Sequence, residues 1–204
     1  MRNMDGFAGV ASQLCALGRA CHTRGWVPAT SGNFSAVVAR DPLRLAITPS
    51  GADKGALAPS DILEIDGDGR VLRGSAKPSA ETAVHLAVVR ATGAGAVAHT
   101  HSLWAALLSN AHAGKGALEI TGFELLKGLA GVTTHAHRES VPIVENTQDW
   151  EPAAPELEAM LAKHPQAHAF LIRGHGLYTW GRDVGEAQRH VEALEFLLEA
   201  VGRS

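Results

Sequence analysis

"GAVAHTHSLW", residues 95–104, places two histidines at the end of a short apolar run. In an extended strand successive side chains alternate between the two faces, so His99 and His101 point to the same side. They are then about 6 to 7 Å apart along the strand. Two imidazoles on one face suit a metal ion, but the same pattern also occurs at an ordinary polar strand end. A third ligand is needed to decide between these interpretations.

The candidate for a third ligand is His175, in the segment "LIRGHGLY", residues 171–178. A catalytic zinc site usually has three protein ligands and one open position. His175 follows an apolar strand-like run and has a glycine on either side. Glycine permits unusual backbone dihedrals and the close approach of a ligand. The sequence thus offers three imidazoles that could meet where strand ends converge.

A rival histidine pair occurs in "TTHAHRE", residues 133–139. His135 and His137 have the same spacing as the first pair, but they lie in a polar stretch with no apolar strand to hold them rigid. We interpret this segment as a loop that carries pocket or surface histidines. Six further histidines are interpreted as structural or solvent-exposed: His22, His85, His112, His164, His168 and His190.

Length and composition indicate an ordinary globular protein. The chain has 204 residues, which fits one domain with a substantial core. Apolar residues make up 46% and charged residues 19%, which is typical of folded chains rather than disordered ones. The formal net charge of −3 provides no basic field. Nucleic acid and anionic membranes are therefore poor candidate partners.

Cysteine usage and the N-terminus point to a reducing compartment. Cys15 and Cys21 are six residues apart in a predicted helix, which is a poor spacing for contact, so we expect no disulfide between them. The first ten residues lack the apolar core of a signal peptide. No run approaches the roughly 18 apolar residues of a membrane span. We expect a soluble cytoplasmic protein.

Strand and helix signals are mixed along the chain without a regular alternation. Hairpins are predicted for "FSAVV" with "RLAIT" and for "ILEID" with "RVLRG". The other predicted elements are a helix over 4–24, a helix over 80–92 with Ser79 as N-cap, a strand over 96–101, a short helix from Ser102, a helix over 123–130, a strand over 141–145, a helix over 155–163, two strands within 167–180, and a helix from Asp183 to about residue 200. This order favours an α/β fold with a mixed or mainly antiparallel sheet covered by helices.

Two small-residue loops are candidates for binding an anion. They are "ATSGNFS", residues 29–35, and "ITPSGADKG", residues 47–55. Backbones rich in glycine, serine and threonine can turn several N–H groups toward one anion. Ser79, at a predicted helix N-terminus, would add further donors. Neither loop has the spacing of a Walker or dinucleotide-binding motif. Each segment alone fits a simple turn, but the two loops and the Ser79 segment, together with the strand of His99 and His101, are more suggestive.

Five motifs, taken in order, identify a family. "TSGNFS", "ITPSG", "KPSAET", "HTHS" and "RGHGLYTWG" together resemble the class II (zinc-dependent) aldolase family over nearly the whole chain. The resemblance implies a single domain over residues 1–204. It also implies a three-layer α/β/α fold with a central, largely antiparallel sheet.

The same resemblance implies a site and an assembly. One Zn²⁺ per subunit would be held by His99, His101 and His175. A sugar phosphate would be bound by five residues of the small-residue loops: Gly32, Asn33, Ser50, Gly51 and Ser79. Members of the family are commonly fourfold-symmetric homotetramers with sites near subunit boundaries, so a tetramer is expected here.

The identity of the catalytic carboxylate separates two branches of the family. Aldolases carry a glutamate in the loop that matches "KPSAET", which is Glu81 here, and use it as their acid/base. In contrast, "GFELLKGLAG", followed by "THAHRE" and "VPIVENTQDW", resembles a dehydratase branch. The acid/base of that branch corresponds to Glu124. This chain has both carboxylates, and we expect Glu124 to be the acid/base, with Glu81 as the alternative.

The activity implied by the dehydratase branch is the dehydration of 5-methylthioribulose 1-phosphate to 2,3-diketo-5-methylthiopentyl 1-phosphate in methionine salvage. The alternative within the family is a sugar-phosphate aldolase or epimerase. An alternative of another class is a non-catalytic scaffold, as in adducin-type head domains, although the presence of all three histidines argues against it. Candidates for a pocket around the substrate thioether are four apolar residues: Trp104, Phe123, Leu126 and Trp150.

Overall fold

The computed structural model describes residues 4–204, which form one nine-stranded sheet flanked by five helices. The helices are α1 (Met4–Thr23), α2 (Thr82–Thr92), α3 (Leu103–His112), α4 (Trp150–Lys163) and α5 (Val184–Arg203). The strands are β1 (Asn33–Arg40), β2 (Leu43–Ile47), β3 (Leu63–Asp66), β4 (Val71–Arg73), β5 (Ala96–Thr100), β6 (Ala117–Thr121), β7 (Arg138–Val144), β8 (Ala169–Ile172) and β9 (Gly176–Gly181).

The sheet is largely antiparallel, as expected. Its strand order is β4-β3-β2-β1-β5-β9-β8-β7-β6. Only the β7–β8 pair among the described strands is parallel. β5 lies at the centre between β1 and β9. His99 of β5 is paired with Asn33 of β1 on one edge and with Tyr178 of β9 on the other. The strand that carries the histidine pair is therefore held on both edges.

The apolar side chains of β5 show that the fold has three layers. Ala96 and Ala98 belong to the core formed with α1 and α5, whereas Val97 belongs to the core formed with α2 and α4. Because alternate residues of a strand face opposite sides, His99 and His101 point toward the α2–α4 layer. The predicted three-layer α/β/α architecture is confirmed.

The starts of two helices follow the prediction. Ser102 caps α3, since its side chain accepts a hydrogen bond of 3.1 Å from the backbone N–H of Ala105. Asp183 caps α5 by accepting a 2.8 Å bond from the N–H of Glu186, whose carboxylate accepts from the N–H of Arg182. The start of α3 directly after the histidine pair is thus fixed locally.

The predicted cap of α2 is wrong. The helix begins at Thr82, with Glu81 at the N-cap position, and Ser79 precedes it. The Ser79 hydroxyl instead accepts a 3.2 Å bond from the N–H of Glu81, and the Ser79 carbonyl accepts from Thr82. Residues 79–82 therefore form a turn ahead of the helix, which leaves Glu81 at the junction.

Three other boundaries differ from the prediction. The segment 123–130 forms only a 3₁₀ helix over Glu124–Gly128, because it ends at a glycine and is too short for stable α-helix. α4 begins at Trp150 rather than at Pro155, which lies inside the helix. β7 begins at Arg138, within the segment that was predicted to be a loop, since Arg138–Val144 pairs with β6.

Cys15 and Cys21 are free and buried in α1, in agreement with the expectation that they do not pair. Within residues 4–204, none of the helices has the length and apolar character needed to cross a membrane.

Candidate metal and substrate site

Three imidazoles converge at the end of the central strand. His99 and His101 come from the C-terminal end of β5, and His175 comes from the turn between β8 and β9. The Nε2 atom of His175 lies 3.3 Å from Nε2 of His99 and 3.1 Å from Nε2 of His101. Three imidazole nitrogens this close together could hold a metal ion between them.

The outer nitrogens of two of these rings fix their tautomers. Nδ1 of His99 donates to the carbonyl of Leu177 at 2.9 Å, and Nδ1 of His175 donates to Oδ1 of Asn146 at 3.2 Å. With the proton on Nδ1, the lone pair of Nε2 faces the centre, as is usual for metal-binding histidine. Burial, reinforced by the neighbouring imidazoles, lowers the pKa of His101 to about 3 and holds the pKa of His99 well below its usual range. Both rings are therefore neutral and able to bind a cation.

The glycine after His175 is required by close packing. A Cβ atom at Gly176 would collide with the carbonyl oxygen of Thr100 and would lie 3.0 Å from Cε1 of His99. Only a residue without a side chain lets β9 approach the histidine strand this closely. The glycine of the "GHG" motif thus places His175 against the pair on β5.

Glu81 lies directly beside the three histidines. Its Oε2 is 3.3 Å from Nε2 of His99, and its Oε1 is 3.4 Å from Nε2 of His175. The carboxylate is buried, and Oε1 has no hydrogen-bond partner among residues 4–204. Burial next to this carboxylate raises the pKa of Tyr178, so the tyrosine is a neutral phenol stacked on His99.

A chain of buried polar groups holds Glu81 in place. Nδ2 of Asn33 donates a 2.7 Å hydrogen bond to Oε2 of Glu81. Oδ1 of Asn33 contacts Nε2 of His85, and Nδ1 of His85 contacts the hydroxyl of Ser35 at 2.7 Å. Burial lowers the pKa of His85 to about 4, so the ring is neutral. The consistent assignment is that Ser35 donates to His85, His85 to Asn33, and Asn33 to the carboxylate.

Sequence analysis missed His85, which was interpreted as structural or solvent-exposed. The available signal was its spacing from Glu81. Residues four apart lie on the same face of a helix, so a histidine one turn after the glutamate of "KPSAET" could have been placed near that carboxylate. His85 is completely buried behind the site.

The geometry of the donors fits a tetrahedral zinc ion. Zinc–nitrogen bonds of about 2.0–2.1 Å in a tetrahedron place neighbouring nitrogens roughly 3.3–3.4 Å apart. The measured separations of 3.1 and 3.3 Å are close to this spacing. The unpartnered Oε1 of Glu81 faces the same centre, and one ligand atom from each of Glu81, His99, His101 and His175 lies within 4.8 Å of the others. These residues could hold a metal.

The predicted anion loops surround a cavity that opens onto the histidines. Gly32, Asn33, Ser50, Gly51 and Ser79 all line it, together with Glu81, His101 and His175. The hydroxyl of Ser31 at this cavity is buried and has no partner among the described residues. The side chain of Asn33, in contrast, is already used by Glu81 and His85. The other four predicted phosphate-binding residues line the cavity without a side-chain hydrogen bond to the Glu81 carboxylate.

Position 32 of the first loop requires glycine. This residue has φ of +72°, and a Cβ atom there would lie 2.8 Å from the carbonyl of His99 and 2.5 Å from Cγ1 of Val27. Side chains other than glycine are strained at positive φ. The turn can therefore pass tightly over the end of β5, which brings the loop of residues 29–35 next to His99.

Glu124 lies outside this cluster in the single chain. Its side chain is 71% exposed and is 2.5 Å from Nζ of Lys127 and 3.7 Å from Nδ1 of His135. The hydrogen bond and charge of Lys127 lower the pKa of Glu124, so the carboxylate is ionised. Within one chain the two candidate carboxylates thus occupy different places, with only Glu81 at the histidines.

The rival histidine pair does not converge. His135 faces Glu124, whereas Nε2 of His137 is 2.9 Å from Oε2 of Glu139. His168 contacts the same oxygen at 2.9 Å through Nδ1, and its Nε2 donates to the carbonyl of Ala130 at 2.8 Å. Although burial opposes it, this pairing raises the pKa of His168, so a buried imidazolium–carboxylate pair is formed. The distances are those of a completed hydrogen-bond set.

Of the four candidates for a thioether pocket, Trp150 alone lines the cavity. Trp104, Phe123 and Leu126 belong to the core on the opposite face of the sheet, with α3 and α5. These three residues pack in that core and do not line the cavity, so the structure does not place them in a thioether pocket.

The back of the histidine strand is held by Glu195 of α5. The hydroxyl of Thr100, which lies between the two histidines, donates to its carboxyl group. Burial raises the pKa of Glu195 to about 7, although bonds from Ser102 and Thr100 oppose the shift. This carboxyl anchors β5 from the layer opposite the site.

The chain thus combines a three-layer α/β fold, three convergent histidines that could hold a metal ion, and a loop-lined cavity. Residues 12–201 match the family model described as "Class II Aldolase and Adducin N-terminal domain". The chain belongs to this family.

Relatives of known name cover nearly the whole chain. The chain is 48% identical over 195 residues to the methylthioribulose-1-phosphate dehydratase of Sorangium cellulosum, covering 95% of this chain and 91% of that protein. It is 50% identical over 190 residues to the methylthioribulose-1-phosphate dehydratase of Methylococcus capsulatus, covering 93% and 91%. Among solved structures, L-fuculose-1-phosphate aldolase from Thermus thermophilus superposes with a TM-score of 0.73 at 27% identity, covering 94% and 93% of the two chains.

Proposed function

We propose that this chain catalyses the dehydration of 5-methylthioribulose 1-phosphate to 2,3-diketo-5-methylthiopentyl 1-phosphate in methionine salvage. The observation that carries the proposal is the near-full-length similarity, at 42–50% identity, to three proteins named methylthioribulose-1-phosphate dehydratase. The site supports it, since it combines a three-imidazole cluster with a carboxylate and a loop-lined cavity.

Zinc is the proposed metal, with one ion per subunit held by His99, His101 and His175. Neutral imidazoles suit zinc among the common divalent ions. When bound, zinc would act as a Lewis acid that polarises the substrate ketone and makes the neighbouring C3 hydrogen more acidic. Asn146 and the Leu177 carbonyl would keep two of the rings oriented through their Nδ1 atoms.

The phosphate of the substrate would lie at the cavity end formed by the small-residue loops. Gly32, Ser50, Gly51 and Ser79 line this end. Their backbone and hydroxyl groups can donate to phosphate oxygens, and such charge-assisted hydrogen bonds are stronger than neutral ones. Asn33 is assigned to this group by family resemblance, but its side-chain amide supports Glu81, so we propose that it acts mainly through that carboxylate.

The reaction needs a carboxylate that takes the C3 proton and an acid that protonates the C4 hydroxyl as it leaves as water. We propose Glu124 for this proton transfer, supplied by a neighbouring copy of the chain. Its exposure and its separation from the histidines of its own chain support an action in trans. Glu81 then remains at the metal ligands of its own chain, where it contacts His99 and His175.

The surface around Glu124 suits contact between copies. Leu125 is 39% exposed and Phe196 is 54% exposed. Both side chains line a groove together with Trp26. The Trp26 carbonyl accepts a 2.8 Å hydrogen bond from the N–H of His101, so the groove lies next to the histidine strand. Large exposed apolar side chains mark interaction surfaces. We propose a cytoplasmic homotetramer in which this surface borders the neighbouring site.

A second candidate, a sugar-phosphate aldolase, is supported by the position of Glu81. This is the carboxylate expected for the aldolase branch, and it already lies beside the histidines. In that case the chain would break a C–C bond of a phosphorylated sugar and Glu124 would have no role in proton transfer.

The proposal is tested by metal removal and reconstitution. The protein as purified, a chelator-treated sample and a zinc-reconstituted sample are incubated with 5-methylthioribulose 1-phosphate, and substrate consumption is followed. We expect activity to be lost on chelation and to return as about one equivalent of zinc binds. Equal turnover with and without bound metal would contradict the proposal.

A further inference from the structure

Lys54 is a buried cation at the substrate cavity. Lys54 is only 1% exposed, and it lines the same cavity as the two small-residue loops and Ser79. A lysine is almost never fully buried unless its charge is paired. The second loop, "ITPSGADKG", therefore carries a residue that composition and spacing did not single out.

The partners of Lys54 are neutral. Nζ donates to the carbonyl of Thr30 at 2.8 Å and to the carbonyl of Ala52 at 2.7 Å. Within residues 4–204, no carboxylate lies within 4.0 Å of this nitrogen. A third N–H of the ammonium remains, and the charge is uncompensated.

Asp53, the nearest acidic residue in sequence, does not neutralise Lys54. Its carboxylate is half exposed, accepts from the N–H of Gly55 and faces His22 at 3.3 Å. Burial lowers the pKa of Lys54, and the charge of Asp53 offsets only part of this effect. An uncompensated buried charge is destabilising, so its presence calls for a ligand of opposite charge.

We propose that Lys54 is the counter-charge of the substrate's phosphate and a determinant of specificity for phosphorylated substrates. This inference rests on the proposed function, because it assigns the phosphate end of the same cavity. The two carbonyl contacts also tie the first loop, at Thr30, to the second loop, at Ala52.

The test uses the zinc-loaded enzyme and inorganic phosphate as the probe. Lys54→Gln keeps an amide donor for the two carbonyls but removes the charge, whereas Lys54→Met removes both. Phosphate binding is measured by calorimetry, and KM and kcat are measured with 5-methylthioribulose 1-phosphate. Circular dichroism and zinc content show whether each variant is folded. If Lys54→Met fails to fold, Lys54→Gln alone decides.

We expect phosphate affinity to fall by about tenfold or more in Lys54→Gln, with a matching rise in KM and little change in kcat, because the interaction is present before and during the reaction. Lys77→Gln, which removes an exposed charge outside the cavity, should change neither value more than about twofold. Lys54→Gln that binds phosphate as tightly as the wild type would overturn the inference.

The two proposals fail in different ways. If the wild type binds phosphate through Lys54 but does not dehydrate the substrate, the proposed function is wrong and the assignment of Lys54 stands. If dehydration occurs with an unchanged KM in a folded Lys54→Gln variant, the function stands and the assignment of Lys54 is wrong.

Discussion

The side-chain amide of Asn33 donates a 2.7 Å hydrogen bond to the Glu81 carboxylate, which lies 3.3 Å from Nε2 of His99. Asn33 is also the residue opposite His99 in the β1–β5 pair. One sheet position therefore fixes both the strand that carries the proposed metal ligands and the carboxylate beside them. This links the "SGN" motif to the metal site as well as to the anion loops.

Removing the hydrogen bond from Asn33 to Glu81 should lower kcat more than it weakens substrate binding. In Asn33→Ala the carboxylate of Glu81 loses the side-chain N–H that donates to its Oε2. A hydrogen bond to a charged group contributes about 1.5–3 kcal/mol, so kcat should fall roughly 10- to 100-fold. Steady-state kinetics measure this effect. Ser35→Ala, which is two steps further from the carboxylate, is the milder comparison, and equal kinetics in Asn33→Ala and wild type would argue against a positioning role.

Loss of any proposed zinc ligand should remove the metal. His99→Ala, His101→Ala and His175→Ala each leave two imidazoles, and a three-ligand site rarely retains its ion after such a loss. Metal analysis after dialysis should show less than about a tenth of the wild-type zinc in each variant. His137→Ala is the matched control, since His137 pairs with Glu139 away from the site. A His175→Ala variant with full zinc content would remove His175 from the ligand set.

The buried Glu195 predicts a pH dependence of stability. Burial raises its pKa to about 7 in the folded protein, compared with about 4.3 for an exposed glutamate. Between these values the unfolded chain releases the proton while the folded chain keeps it. The contribution to the free energy of unfolding therefore falls as pH rises from about 4.3 to about 7, by roughly 4 kcal/mol, and is constant above that range.

Glu195→Gln should remove this component. Urea unfolding at pH 5 and pH 8 should show a smaller decrease in the variant than in the wild type, with the variant more stable at pH 8. Glu199→Gln serves as the control, because Glu199 lies on the same helix and forms a partly exposed ion pair with Arg203. A wild-type slope retained in Glu195→Gln would place the titrating group elsewhere.

The features that could be predicted from the sequence are those that depend on local contacts along the chain. The histidine pair on β5 and the glycines around His175 follow from strand alternation and close backbone approach, and both are visible in the printed sequence. The D-x-x-E start of α5 is similarly local. These features could be predicted because each depends on neighbours within one turn or one strand.

The features that the sequence did not predict depend on tertiary contacts. His85 and Lys54 look like ordinary helix and loop residues, and only packing across three layers buries one behind Asn33 and the other under the first anion loop. Tertiary packing also explains why α4 begins before Pro155, since Trp150 in its first turn is buried in the core. Glu124 is a further case, because its proposed role depends on a second copy of the chain.

The origin of the catalytic carboxylate can be tested by mixing inactive variants. Glu124→Gln and His175→Ala should each be inactive. If Glu124 acts on a neighbouring site, mixed tetramers of the two should regain roughly a quarter of wild-type activity, because some sites pair an intact histidine set with an intact Glu124. Where Glu81→Gln is itself inactive, its mixture with His175→Ala should regain no activity, since both residues belong to one chain's site. No recovery in the first mixture, together with near-normal turnover by Glu124→Gln alone, would transfer the acid/base role to Glu81.

The most direct test of the central claim is the mass of the product formed from 5-methylthioribulose 1-phosphate by the zinc-loaded enzyme. Dehydration predicts one product that is lighter than the substrate by one water and keeps all of its carbon atoms. Two smaller fragments from cleavage of a C–C bond, or unchanged substrate in the presence of a full equivalent of zinc, would contradict the claim.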